Sequence, residues 1–319
     1  MPPATLSKLS KIADVHSEFY NELKSTLNLT KVPGPLIVCP KSGLNDDLNG
    51  IEKKVFFTKD DRRVEVVQSL AKWKRQELGR LQANEGDGIC VDMMAIRQDE
   101  EFDHLHSLTV DQWDWELSLG FEESRRSEET LKAIAEKIYA CVRKTWMAMA
   151  SSRHNPTEND LPEEVTFVTT RELEEKYPDE TPKERERIVT KKHKAVFLIG
   201  IGDIHDGRAA DYDDWTLNGD LICWHEGLQE AVELSSMGIR VNATALERQL
   251  KVRDETHKRE LPFHKKILNN ELPFTIGGGI GKSRLSMLVL NTYHIGEVQS
   301  SFWPEKIREE CEQRGIFLL

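Results

Sequence analysis

The stretch Thr275–Leu290 reads TIGGGIGKSRLSMLVL, setting four glycines and an arginine ahead of an apolar run. Its GKS invites a phosphate-loop reading. That motif needs a glycine five positions before Gly281, where the chain has Ile276, so the spacing fails by one residue. What the stretch offers instead is a glycine-rich turn whose backbone, lacking Cβ atoms, can approach a flat ligand closely. Arg284 follows just inside a predicted helix, Ser283–Leu290. A guanidinium there can neutralise polyphosphate charge through paired hydrogen bonds.

Upstream, MAIRQDEEF ends a predicted strand in Arg97 and continues into Asp99, Glu100 and Glu101. NGDLICW carries Asp220 and LQEAVELSSMGIR carries Glu233, each on a predicted strand. Two carboxylates on neighbouring strands suit a Mg²⁺ ion that bridges phosphates. A glycine turn, an arginine and an apolar helix resemble motif 3 of the class II aminoacyl-tRNA synthetases. The strand arginine with its acids resembles their motif 2, where the arginine holds the α-phosphate and a glutamate reads the adenine amino group. The implied fold class is α+β: a class II synthetase-like catalytic core whose central, mostly antiparallel sheet is flanked by helices.

The rest of the chain fits such a core. Apolar spacing predicts helices over Leu6–Leu27, Ala71–Leu81, Glu128–Met149, Ala243–Arg253 and Phe263–Asn269. Strands are expected at Val55–Phe57, Val64–Val67, Ile89–Ile96, Leu108–Trp115, Val165–Val168, Ala195–Ile201, Leu221–Trp224 and Ala231–Leu234. The second Gly-rich segment, GIGDIH (Gly200–His205), lacks the third glycine of a dinucleotide fingerprint and reads as a strand ending in a glycine turn. SSRHNPTEND (Ser151–Asp160) is the most linker-like segment. One catalytic domain over residues 1–319, with a helical insertion at about 120–195, is the expected organisation.

Composition narrows the function. Apolar residues make up 38% and charged residues 31%, as in a polar-surfaced folded protein. A formal net charge of −11 argues against a nucleic-acid surface. The five cysteines are dispersed and form no CxxC pair, pointing to a reduced compartment without structural zinc. No apolar run has the length of a signal peptide or a membrane span, so cytoplasm is the expected location and no membrane is involved.

Over nearly its whole length the chain resembles the ammonia-dependent aspartate–ammonia ligases, the asparagine synthetase A family. The carrying stretches are DDLNG, VVQSLAKWKRQ, VDQWDWE, HDGRAADYDDW, LNGDLICW, ELSSMGIRV and TIGGGIGKSRLSMLVL. The resemblance implies an ATP-dependent enzyme that turns L-aspartate and ammonia into L-asparagine through a β-aspartyl adenylate, releasing AMP and pyrophosphate. It implies catalytic roles for Asp46, Arg97 and Gln112, and aspartate binding by Ser69, Lys74, Asp114, Ser236 and Arg240. ATP would meet Glu100, Arg208, Asp213, Leu234, Gly279 and Arg284, with Mg²⁺ on Asp220 and Glu233. A homodimer is implied as well. The chain departs from the family in a shorter loop before HDGRA and in DDLNG where the family reads DNLSG.

The alternative is an aspartyl- or asparaginyl-tRNA synthetase-like paralogue, acting as an amino-acid adenylating enzyme or as a non-catalytic binding module. Such synthetases carry an N-terminal anticodon-binding domain, whereas here the motifs begin after one helix. A glutamine-dependent synthetase would need a cysteine after the initiator Met, where the chain has Pro2. Trp113 and Trp115 are expected in the core, and His104 and His106 as a structural pair, since no third metal ligand accompanies them.

Overall fold

The computed structural model describes residues 6–49, 52–153, 161–202 and 208–319. Ile12, Val15, Phe19 and Leu23 form one apolar stripe, which is buried along α1 (Leu6–Thr26). The chain then forms β1 (Leu29–Lys31), β2 (Ile37–Val38), β3 (Phe56–Lys59), β4 (Arg62–Val66), α2 (Ala71–Arg80), β5 (Gly88–Ile96) and β6 (Thr109–Gly120). Next come α3 (Glu128–Ala148), β7 (Thr166–Thr169), α4 (Thr170–Lys176), α5 (Pro182–His193), β8 (Ala195–Ile199), β9 (Asp213–His225) and β10 (Glu230–Arg240). The chain ends with α6 (Ala243–Val252), α7 (Pro262–Leu268), β11 (Phe274–Gly281), α8 (Lys282–Leu290) and α9 (Glu305–Gln313).

Eight strands form one sheet in the order β1-β5-β6-β11-β10-β9-β8-β7, and β2-β4-β3 form a small second sheet. Within the large sheet the interior pairings are antiparallel, and only the edge pairings β1–β5 and β7–β8 are parallel. This is the expected α+β, mostly antiparallel core.

Strand β6 shows how core and site divide. Its odd residues Trp113, Trp115, Leu117 and Leu119 enter the main apolar core, where Phe19 of α1 packs on Trp113 at a centroid distance of 4.8 Å. Its even residues Gln112, Asp114 and Glu116 face the other way, as the period of two in a strand requires. Helix α3, capped by the Ser127 hydroxyl accepting from the Thr130 N–H at 3.2 Å, buries Leu131, Ile134, Ile138 and Val142 in the same core as α1. Segment 120–195 thus holds helices packed into the main body together with β7, an edge strand of the main sheet.

Two sequence expectations need correction. The glycine-rich stretch is no turn: Gly277, Gly278, Gly279 and Gly281 all lie in β11, hydrogen-bonded between β6 and β10. Strands β9 and β10 also run well beyond the expected Leu221–Trp224 and Ala231–Leu234. Polar and small residues such as Asp213, Asn218, Ser236 and Gly238 hide their strand character from an apolar pattern. Gly200, with φ of +81°, directly follows β8, whereas the later part of that motif, with the segment 203–207, lies outside the described residues. The same holds for 154–160 of the linker-like segment. No helix among the described residues is long and apolar enough to cross a membrane.

Candidate active site

A cavity of about 670 Å³ opens over the even face of β6 and its neighbours β11 and β10. Fourteen of the sixteen residues named from the sequence line it: Asp46, Ser69, Arg97, Glu100, Gln112, Asp114, Arg208, Asp213, Glu233, Leu234, Ser236, Arg240, Gly279 and Arg284. The two that do not are Lys74 and Asp220. Lys74 is fully buried beneath the floor, hydrogen-bonded to Asp114 and, at 2.7 Å, to the Trp115 carbonyl. Asp220 lies behind Arg208, whose Nη2 is 3.3 Å from its Oδ1.

The floor is an alternating lattice of buried charges. Glu116, unnoticed in the sequence, holds Arg240 through two hydrogen bonds, Nε to Oε1 at 2.9 Å and Nη2 to Oε2 at 2.7 Å. It also accepts from Thr275 Oγ1 at 2.7 Å and lies 3.6 Å from Lys74 Nζ. Burial pushes the Glu116 carboxyl up, but Arg240 and Lys74 outweigh it and leave it below its ordinary range. Arg240 bonds Asp213 as well. Asp114 and Asp213 are raised by burial, against the pull of Lys74 on the first and of Arg240 and Arg208 on the second. A cationic ligand group beside Asp114 would favour its charged form further.

The glycines of β11 explain how these side chains reach the cavity. Gly277 pairs with Glu116, and Gly279 with Asp114. A Cβ on Gly277 would lie 2.6 Å from Glu116 Cδ and 2.5 Å from Arg240 Nη2, while one on Gly279 would overlap the Gln112 amide. A β-bulge also contributes. Glu233 and Ser236 are three residues apart, yet both line the cavity, because the β9–β10 register shifts between Glu233 and Ser235.

At one end, Asp46 is held in a short loop. Its Oδ1 accepts from the Leu48 N–H at 2.9 Å and its Oδ2 from the Ser69 hydroxyl at 2.6 Å. Asn45 anchors the loop: its Nδ2 donates to Glu65 Oε2 and the Val66 carbonyl, and its Oδ1 accepts from the Asp46 and Gln68 N–H groups. Ser69, assigned to substrate from the sequence, thus already donates to Asp46. Tyr212 also lines the cavity, and burial together with the Asp46 charge pushes its phenol well above the usual range. A lone tyrosine between two aspartates carries no periodic signal. Glu116 was findable, because Gln112, Asp114 and Glu116 alternate in DQWDWE.

Across the cavity, the Arg97 guanidinium lies 4.0 Å from Glu100, and its buried Nε has no hydrogen-bond partner among the described residues. Arg284 donates through Nη1 to the Glu233 carbonyl at 3.1 Å and through Nη2 to His106 Nε2 at 2.9 Å. His104 turns away to Glu230 at 2.7 Å. The histidines are therefore not a pair, and no cluster of three or more metal-ligating side chains occurs among the described residues. Asp220 and Glu233 still suit one divalent ion. Burial raises the Asp220 carboxyl to about 6, with Arg208 opposing and the Glu233 charge adding, and a cation would relieve this like-charge strain. Two carboxylates leave positions for phosphate oxygens and water, the way Mg²⁺ is commonly held.

Known proteins match this architecture. The aspartate-ammonia ligase family profile matches residues 6–315. The chain is 49% identical over 309 residues to the aspartate–ammonia ligase of Malacoplasma penetrans, covering 94% of each chain. It is 50% identical over 318 residues to that of Clostridium tetani, covering 97% of this chain and 92% of the relative. Among solved structures, the asparaginyl-tRNA synthetase of Entamoeba histolytica in complex with asparaginyl-adenylate superposes with a TM-score of 0.70 at 15% identity, over 92% of this chain but only 66% of that one. The Pyrococcus horikoshii asparaginyl-tRNA synthetase, also with asparaginyl-adenylate, gives a TM-score of 0.68 at 15% identity, covering 93% of this chain and 70% of that one. The fold is the class II synthetase core, and on the strength of these sequence matches the chain belongs to the aspartate–ammonia ligase family.

Proposed function

We propose that the chain is an AMP-forming ligase that makes L-asparagine from L-aspartate and ammonia at the expense of ATP. The observation that carries this reading is a cavity with an acidic end at Asp46 and Asp114 and a cationic wall at Arg97 and Arg284. Asp114 receives the α-ammonium of aspartate. Arg240 supplies the positive potential for the α-carboxylate, and Lys74 acts from below by holding Asp114. Gln112 hydrogen-bonds the β-carboxyl, with Ser69 and Ser236 completing the pocket.

The β-carboxylate attacks the α-phosphorus of ATP, forming the acyl adenylate and expelling pyrophosphate. Two anions must meet, and Arg97, whose Nε has no hydrogen-bond partner among the described residues, screens both. Glu100 accepts from the adenine amino group. Leu234 and Gly279 border the nucleotide, while Arg208, with Asp213 behind it, and Arg284 balance phosphate charge. Mg²⁺ held by Asp220 and Glu233 would neutralise phosphate charge as pyrophosphate departs. Ammonia then attacks the acyl carbon and AMP leaves; Asp46 gathers ammonium and takes its proton. The reading also makes the protein a cytoplasmic homodimer that needs no nucleic acid, consistent with a net charge of −11. Sedimentation at micromolar concentration tests the dimer, and a fully active monomer would sink it.

The roles are tested at Arg97. Arg97→Lys keeps the charge but cannot hold two anions in one plane. Turnover is expected to fall on the order of 100-fold, the scale of losing one preorganised transition-state donor. Near-normal turnover would remove Arg97 from the reaction.

A further inference from the structure

We propose that Asp103 and His106 are positioning residues, a two-member strut that fixes the Arg284 guanidinium where the polyphosphate of ATP must lie. The proposal rests on the reading above that Arg284 meets polyphosphate. Arginine can only donate, so His106 Nε2, 2.9 Å from Arg284 Nη2, must be unprotonated and accept. The ring proton then sits on Nδ1, which lies 2.9 Å from both carboxylate oxygens of Asp103 and donates to them. Asp103 thus selects the one tautomer in which His106 can hold Arg284.

Asp103 is itself fixed. Its Oδ1 accepts from the backbone N–H of Leu105 at 2.6 Å and of His106 at 2.7 Å, closing a tight turn in the β5–β6 loop. Burial pushes its carboxyl up, but the bonds from His106 and the Leu105 backbone outweigh that and keep it ionised at neutral pH. The other guanidinium nitrogen, Nη1, is fixed by the Glu233 carbonyl of β10. Arg284 is therefore held at both ends, by the β5–β6 loop and by a neighbouring strand, before any ligand arrives. An arginine side chain left free would lose its rotamer entropy on binding. Here that cost is met in folding, and nucleotide affinity gains.

Steady-state kinetics of the full chain with ATP and aspartate varied in turn test this. His106→Leu removes the acceptor and is expected to raise KM for ATP about tenfold, the scale of one hydrogen bond to a charged group. KM for aspartate should stay within about twofold, because the aspartate groups hang on a separate lattice. His106→Gln, whose amide oxygen can accept from Arg284, should recover most of the loss. His104→Leu, which breaks only the bond to Glu230, should leave KM for ATP unchanged. If His106→Leu fails to fold, Asp103→Ala asks the same question, and the same ATP-selective rise is expected. An unchanged KM for ATP in the folded variant, or a folded His106→Gln as impaired as His106→Leu, overturns the strut. Arg284→Gln separates the layers: if it leaves KM for ATP unchanged, the reading of Arg284 itself fails.

Discussion

Gly277→Ala is expected to abolish most activity and lower stability through a single methyl group. The new Cβ would lie 2.6 Å from Glu116 Cδ and 2.5 Å from Arg240 Nη2. A flexible surface carboxylate would simply move aside. Glu116 cannot, because it is fully buried and tied to Arg240, Thr275 and Lys74. Moving it breaks a charge-assisted pair inside the protein and leaves buried ions uncompensated. Overpacking of this kind costs about 1–3 kcal/mol. Because Arg240 is displaced from the aspartate pocket, turnover should fall on the order of 100-fold or more. Thermal unfolding and steady-state turnover measured on the same preparation check both halves. A variant with wild-type melting temperature and turnover would show that the Glu116–Arg240 lattice does not shape the pocket.

Asp46→Asn is expected to separate the two half-reactions. The substitution keeps shape but removes the charge that gathers ammonium and the basic oxygen that takes its proton. Adenylation uses Arg97 and Arg284, neither of which is hydrogen-bonded or ion-paired to Asp46 among the described residues. Aspartate-dependent exchange of labelled pyrophosphate into ATP should survive, while asparagine formation collapses by about 100-fold or more, the upper part of the range for positioned acid–base groups. Raising ammonia by raising pH should partly rescue the variant, since more nucleophile then arrives deprotonated. Loss of exchange as complete as loss of synthesis would move Asp46 to aspartate binding, beside the Ser69 hydroxyl it accepts from.

Much of this was legible from local pattern. The stripe of α1, the β5–β6 hairpin and the core places of Trp113 and Trp115 follow from periods of 3.6 and 2. The insertion of β11 between β6 and β10 was not, because its partners lie more than a hundred residues away on one side and half of its own run is glycine. Glycine carries no hydrophobic period, so a strand made thin to admit Gln112 and Glu116 reads as a turn. Residue roles were legible only by type. Lys74 was expected to bind aspartate directly, but a lysine on the α2 face shared with Ala71 and Leu78 can point inward when Asp114 and Glu116 wait below. Asp220 sits behind Arg208 for a comparable reason: the cation on the adjacent segment covers it. His106 departed furthest from expectation, since nothing in its spacing to His104 reveals that Arg284 lies across the gap.

The most direct test of the central claim is product analysis with purified protein, ATP, Mg²⁺, L-aspartate and ammonium, with no tRNA present. Asparagine, AMP and pyrophosphate should appear in equal amounts, and omission of aspartate or ammonium should stop asparagine formation. Formation of ADP and phosphate, or adenylation of aspartate that never yields asparagine at saturating ammonium, would contradict the account.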